Sequence, residues 1–141
     1  MTLIEIYDEL EEKGIMHYSG RYGFDGDADA ATIEARSRYA IFFDVLSLRT
    51  ERQEIAAAVH ELSHIEAGAM LHVNASPWEA YKAEKKAERH EIARRIPFDE
   101  LKEATQSGRC ANAYEIAEHF GVSEDMAKMA IEHYHKRGER W

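Results

Sequence analysis

The residues best equipped for chemistry in this chain stand in one short run, His60-Glu61-Leu62-Ser63-His64. Two histidines four apart on a helix present both imidazoles on one face, about one turn apart, so that one metal ion can be reached by both. The glutamate directly after the first histidine is rotated off that face, so it can meet a water molecule rather than ligate. Zinc lowers the pKa of a water it binds towards about 7, and a carboxylate within hydrogen-bond reach can take that proton and later hand it to a leaving amine. The chemistry these residue types could carry is metal-assisted hydrolysis of an amide.

A catalytic zinc site takes three protein ligands and keeps one position open. The candidates for the third ligand are His72, Glu84, Glu88 and Glu91. His72 follows His64 so closely that the chain would have to fold straight back over the site. The close-spaced pattern HExxHxxGxxH is absent, because Ala67 and Met70 stand at its glycine and third-histidine positions. Glu84 is better placed, on a second helix that can run antiparallel to the first. Glu88 lies one turn further along the same face, as an alternative ligand or a partner to the ligands.

The elements that must position these groups are legible from their end signals. Thr50-Glu51-Arg52-Gln53 is a capping box, predicting a helix over 51–67 that stops at Gly68 and carries Ile55, Val59 and Leu62 on one stripe. Ser76-Pro77-Trp78-Glu79 opens a second helix that runs to Ile96 and ends before Pro97. Trp78 reads as a core or staple residue near that helix start. Upstream, 3–13 reads as a helix stopped by Gly14, 15–18 as a short strand, and 32–35 with 38–45 as a hairpin. Gly20, Gly23, Gly26 and the aspartates between 19 and 31 give turn chemistry, and no glutamate closes an EF-hand spacing. Downstream, a short helix covers 98–106. Two more are capped by Asn112 and Ser123, the first closing at Phe120-Gly121.

Composition narrows the rest. The single cysteine, Cys110, excludes an intramolecular disulfide framework and a cysteine zinc cluster, and it reads as an inert small hydrophobe. The eight histidines are then the natural transition-metal ligands. A formal net charge of −9 disfavours non-specific nucleic-acid binding. No apolar run approaches the roughly 20 residues of a membrane span, and the N-terminus lacks the pattern of a signal peptide. The expectation is a cytoplasmic protein with no membrane partner. Its fold class is expected to be α+β: a small, mostly antiparallel sheet packed on the His60–His64 helix, with a helical C-terminal half. One domain is expected over 1–141, in which 112–136 form a helix-turn-helix-like pair. In that pair Glu124 and Asp125 would repel phosphate at the start of the second helix. Tyr81, His72 and His90 are available to stabilise an oxyanion, but spacing alone does not aim them, and each reads first as a structural or surface residue.

His60-Glu-Leu-Ser-His64, Glu84-Lys-Lys-Ala87-Glu88 and Ile96-Pro97 together resemble the ImmA/IrrE family of metallopeptidases, whose pattern is a HELGH helix followed by E-x-x-A-(D/N)-x-x-A and a proline. The resemblance extends to Tyr39–Asp44, Gly68-Ala-Met, Pro97–Leu101 and Glu115–Val122, so it covers most of the chain after about residue 38. It is closest to the short members of phages and mobile elements. It implies a zinc endopeptidase of the gluzincin type with one Zn²⁺ per chain, ligands His60, His64 and Glu84, and Glu61 as catalytic base. It also implies a protein substrate, typically a helix-turn-helix repressor. Ser63 replaces the usual glycine, Glu88 stands where Asp or Asn is usual, and His90-Glu91 replaces more apolar residues. The competing reading is a non-catalytic regulatory protein that binds a repressor or DNA through the same scaffold.

Overall fold

The computed structural model describes residues 1–24, 28–71 and 74–138. The elements run α1 (Leu3–Glu12), β1 (Met16–Gly20), β2 (Ala30–Ala35), β3 (Arg38–Asp44), α2 (Glu51–Glu66), α3 (Pro77–Arg95), α4 (Phe98–Gln106), α5 (Ala113–Phe120) and α6 (Glu124–Lys136). The architecture is α+β, and the chain divides into two compact units, Met1–Ala87 and Glu88–Trp141, with the boundary inside α3.

In the first unit, β2 and β3 pair antiparallel from Ala30↔Phe43 to Ala35↔Arg38. The two residues between them, Arg36 and Ser37, both take positive φ (53° and 64°), the backbone of a two-residue hairpin turn that follows the twist of the strands. β1 then corrects an expectation. It pairs with β3 in parallel, Met16↔Ala40 to Gly20↔Asp44, giving the order β1-β3-β2 and a mixed sheet rather than a mostly antiparallel one. The hairpin occupies one edge of β3, so β1 takes the other edge, running in the same direction as β3.

Alternation along β3 sends Ile41 and Phe43 to one face, where both are buried. They meet Ile55, Ala58, Val59 and Leu62 of α2 and Ile6 and Leu10 of α1 in one apolar cluster. Burying such a side chain contributes about 1.5–3 kcal/mol, so the stripe on α2 holds this helix to the sheet. The start of α2 is set locally. Thr50 Oγ1 accepts from Gln53 N and the Gln53 side chain accepts from Thr50 N, the capping box expected of this sequence. Just before it, the buried Asp44 carboxylate accepts from Leu46 N and Ser47 Oγ, turning the chain from β3 towards the helix.

The second unit has its own core. Ile92 and Ile96 of α3 pack with Leu101, Ala104, Cys110, Ile116, Ala117, Val122, Ala127, Ala130 and Tyr134. Gly121 closes α5 at φ +68°, and Ser123 caps α6 through Met126 N. Tyr134 is buried and donates its hydroxyl to the Ile96 carbonyl at 2.6 Å, which satisfies two polar groups inside an apolar cluster. Among the described residues, no helix is long and apolar enough to cross a membrane.

Candidate metal centre

The α2 helix carries His60 and His64 one turn apart, with ring centroids 4.9 Å from each other and planes at 84°. Glu84, on the second and third turns of α3, reaches both. Its Oε1 lies 2.8 Å from His64 Nε2 and its Oε2 3.4 Å from His60 Nε2. Among the described residues, these three form the one group of His, Cys, Asp and Glu side chains able to converge on an ion, with one donor atom from each lying within 4.8 Å of the others. Tetrahedral zinc with ligands at about 2.0–2.1 Å sets donor–donor distances of roughly 3.3 Å. The 3.4 Å and 2.8 Å contacts are made by different oxygens of the Glu84 carboxylate, and one donor atom from each residue lies within 4.8 Å of the others, so modest side-chain adjustment brings the three to that spacing. Two imidazoles and one carboxylate are also a donor set that zinc accepts, with a position to spare. The residues fit the ion.

His64 is held in the tautomer this use requires. Its Nδ1 lies 2.9 Å from the Ala69 carbonyl. A carbonyl only accepts, so Nδ1 donates to it; Nε2 faces Glu84, donates to the carboxylate in the imidazolium form, and is the nitrogen left for a metal once that proton is lost. The turn that brings Ala69 back is the helix stop itself. Gly68 takes φ +65°, Gly68 N bonds Ile65 O, and Ala69 N bonds His64 O at 2.8 Å. This is a Schellman closure, and it folds the chain back beside His64, the last candidate ligand of the helix. Ser63, which stands where the ImmA/IrrE pattern has glycine, is fully buried and donates to the Val59 carbonyl, so its hydroxyl is satisfied within the helix.

The electrostatics follow from proximity. Hydrogen bonds from His60 and then His64 hold the Glu84 carboxyl well below the usual carboxylate range, against the opposing effect of burial. The hydrogen bond to Glu84 raises the pKa of His64, against desolvation and with help from the Ala69 carbonyl. His64 is 9% exposed, His60 35% and Glu84 50%, so the group is closed beneath His64 and open to solvent on the side of Glu84. Glu61 turns towards the sheet, where its Oε2 accepts a hydrogen bond from Thr32 Oγ1 on β2.

Of the other sequence candidates, Glu88 and Glu91 fall in the second unit, where Glu91 is buried. His72 and the turn residues 25–27 lie outside the described residues. Trp78 corrects the sequence reading. It is 64% exposed and stacks on the exposed Tyr81 at 5.7 Å, with the Lys82 ammonium over its ring. A staple joins the residue before the cap to the fourth helical residue, and Trp78 is the second. Cys110 is buried, and burial pushes its thiol pKa up, as expected of an inert side chain. Two contributors were missed from sequence, Thr32 and the Ala69 carbonyl. The second was implicit in the Gly68 stop signal; the first had only its place in an alternating strand.

No family model matches the chain, and neither a curated protein nor a solved structure matches it.

Proposed function

We propose that this protein is a zinc-dependent metalloendopeptidase of the gluzincin type, similar to the ImmA/IrrE family, with one Zn²⁺ per chain. The observation that carries the reading is the convergence of Glu84 on both histidines of the HExxH helix. Spacing on one helix accounts for His60 and His64, whereas a third donor arriving from another helix is what a metal centre needs and what an incidental pair of histidines lacks.

In this reading His60, His64 and Glu84 hold the ion. Bound there, zinc supplies a Lewis acid that polarises a substrate carbonyl and brings a water's pKa towards about 7. Glu61 takes the proton from the attacking water on a carboxylate oxygen and delivers it to the departing amide nitrogen. The Ala69 carbonyl holds His64 in register throughout. The exposed side of the group at Glu84 leaves it accessible from solvent, in keeping with a substrate that reaches it from outside. The family resemblance makes that substrate a helix-turn-helix repressor of a phage or mobile element, and the setting cytoplasmic.

A regulatory, non-catalytic reading draws on α5 and α6, which form a helix–turn–helix around Gly121. Glu124 and Asp125 open the second helix of that pair, where a DNA-reading helix would meet phosphate. Cleavage separates the two readings. Zinc-loaded protein should cut members of a proteome-derived peptide library, and both a chelator and Glu61→Gln should abolish cutting. A Glu61→Gln variant that cleaves like wild type removes Glu61 as the base, and a zinc-loaded wild type that cuts nothing removes the peptidase reading.

A further inference from the structure

The hydrogen bond between Thr32 and Glu61 joins an edge strand to the residue proposed as catalytic base. Among the described residues β2 pairs only with β3, in the sheet order β1-β3-β2, and Thr32 sits opposite Ile41 in that pairing. Ile41 is fully buried on the face that packs against α2, and Ala30, two residues before Thr32, packs against the same apolar cluster. Strand alternation therefore sends Thr32 towards α2, while Ile33 points away and is 56% exposed. On α2, Glu61 is rotated by about 100° from His60, off the ligand face. The two side chains meet there, and Thr32 Oγ1 donates to Glu61 Oε2.

A glutamate on a helix surface has three side-chain torsions to fix before its carboxylate can act at a defined place. A carboxylate has two oxygens, each able to accept. Threonine is stiff about its first torsion because it is branched at Cβ, and its backbone is fixed by pairing with β3 along Ala30–Ala35. It is therefore a preorganised donor. The helix does not need this bond for packing, since Ile55, Ala58, Val59 and Leu62 already join it to Ile41 and Phe43.

Resting on the peptidase reading, we propose that Thr32 is the positioning residue for Glu61: its hydroxyl engages Oε2, sets the plane of the carboxylate, and leaves Oε1 free to take and pass on the proton. Thr32 is not one of the three converging donors and acts through Glu61, so its removal should leave metal binding alone and lower turnover.

The test compares wild type, Thr32→Val, Thr32→Ser and Glu61→Gln. On the best-cleaved peptide of a proteome-derived library, Thr32→Val should lower kcat about 10- to 100-fold with KM nearly unchanged, since small displacements of a reacting group carry losses of this order. Thr32→Ser keeps the hydroxyl and should restore most of the rate. Zinc affinity, measured against a chromophoric chelator, should be the same in all four proteins. In the metal-free proteins the Glu61 carboxylate stretch, identified by its loss in Glu61→Gln, should shift in Thr32→Val and not in Thr32→Ser. An unchanged kcat or an unchanged stretch in Thr32→Val overturns the proposal, as does a serine variant as slow as the valine one. If wild type cuts nothing, the peptidase reading fails and the positioning role falls with it; if Glu61→Gln cuts like wild type, Glu61 is not the base and the positioning role falls while the peptidase reading stands. An inactive Glu61→Gln beside a fully active Thr32→Val removes Thr32 alone.

Discussion

Replacing Gly68 tests whether the end of α2 takes part in the metal centre. Gly68 has φ +65°, and a Cβ built there meets nothing closer than Lys86 Nζ at 4.0 Å. The penalty for a side chain is therefore backbone strain rather than collision. For an ordinary L-residue the left-handed region costs about 1–2 kcal/mol, and it is worse for a β-branched one, whereas asparagine visits it readily. Valine should relieve the strain by opening the turn, which withdraws the Ala69 carbonyl from His64 Nδ1. Loss of such an outer partner of a metal-ligating histidine weakens affinity about 10- to 100-fold, or roughly 1.4–2.7 kcal/mol. Gly68→Val should show that loss in competition with a chromophoric zinc chelator at neutral pH, and Gly68→Asn should stay close to wild type. Circular dichroism of each variant confirms that the fold persists. A folded Gly68→Val that binds zinc as tightly as wild type would refute the link between the helix stop and the ligand.

Leu62 is fully buried between the two histidines in sequence and faces the sheet; Leu62→Ala should lower stability by about 2–5 kcal/mol in denaturant unfolding, and a loss under 1 kcal/mol would contradict the assigned core. Tyr134→Phe removes the donor to the Ile96 carbonyl and should lower stability by about 1–3 kcal/mol by the same measurement, because a buried acceptor is left unpaired. In the proposed centre zinc would compete with protons for His64, whose pKa is raised above 6.5 by Glu84, so zinc affinity should fall with acidification beginning above that value. In the metal-free protein the sign reverses: the raised His64 pKa contributes stability that is present below 6.5 and lost as pH rises through the folded value. The Tm advantage of metal-free wild type over Glu84→Gln should therefore shrink between pH 6 and pH 8, and an advantage that grows over that interval would contradict the assigned pair.

What could be read in the sequence was what local chemistry encodes. Thr50 with Gln53, Ser76 with Pro77, and Gly68 and Pro97 mark helix ends through groups a few residues apart, so both site helices emerged with nearly their observed limits. Glu84 was legible because a capped second helix after a loop can return a carboxylate to the first. The hairpin was legible from alternation and from the two-residue gap at Arg36-Ser37. The parallel partnership of β1 with β3 was not, because a strand's own pattern says which residues share a face and nothing of which neighbour it joins. Thr32 was hidden for the same reason, since its meeting with Glu61 depends on how the sheet lies on α2. Trp78 looked buried by type, yet its first-turn position on α3 leaves it at the surface.

His60, His64 and Glu84 are proposed to form one zinc centre. Metal analysis of protein purified at neutral pH tests it most directly, in wild type and in His60→Ala, His64→Ala and Glu84→Ala. The account predicts about one zinc per chain in wild type and a weakened or lost ion in each variant. Wild type without zinc, or Glu84→Ala with zinc held as tightly as in wild type, would contradict it.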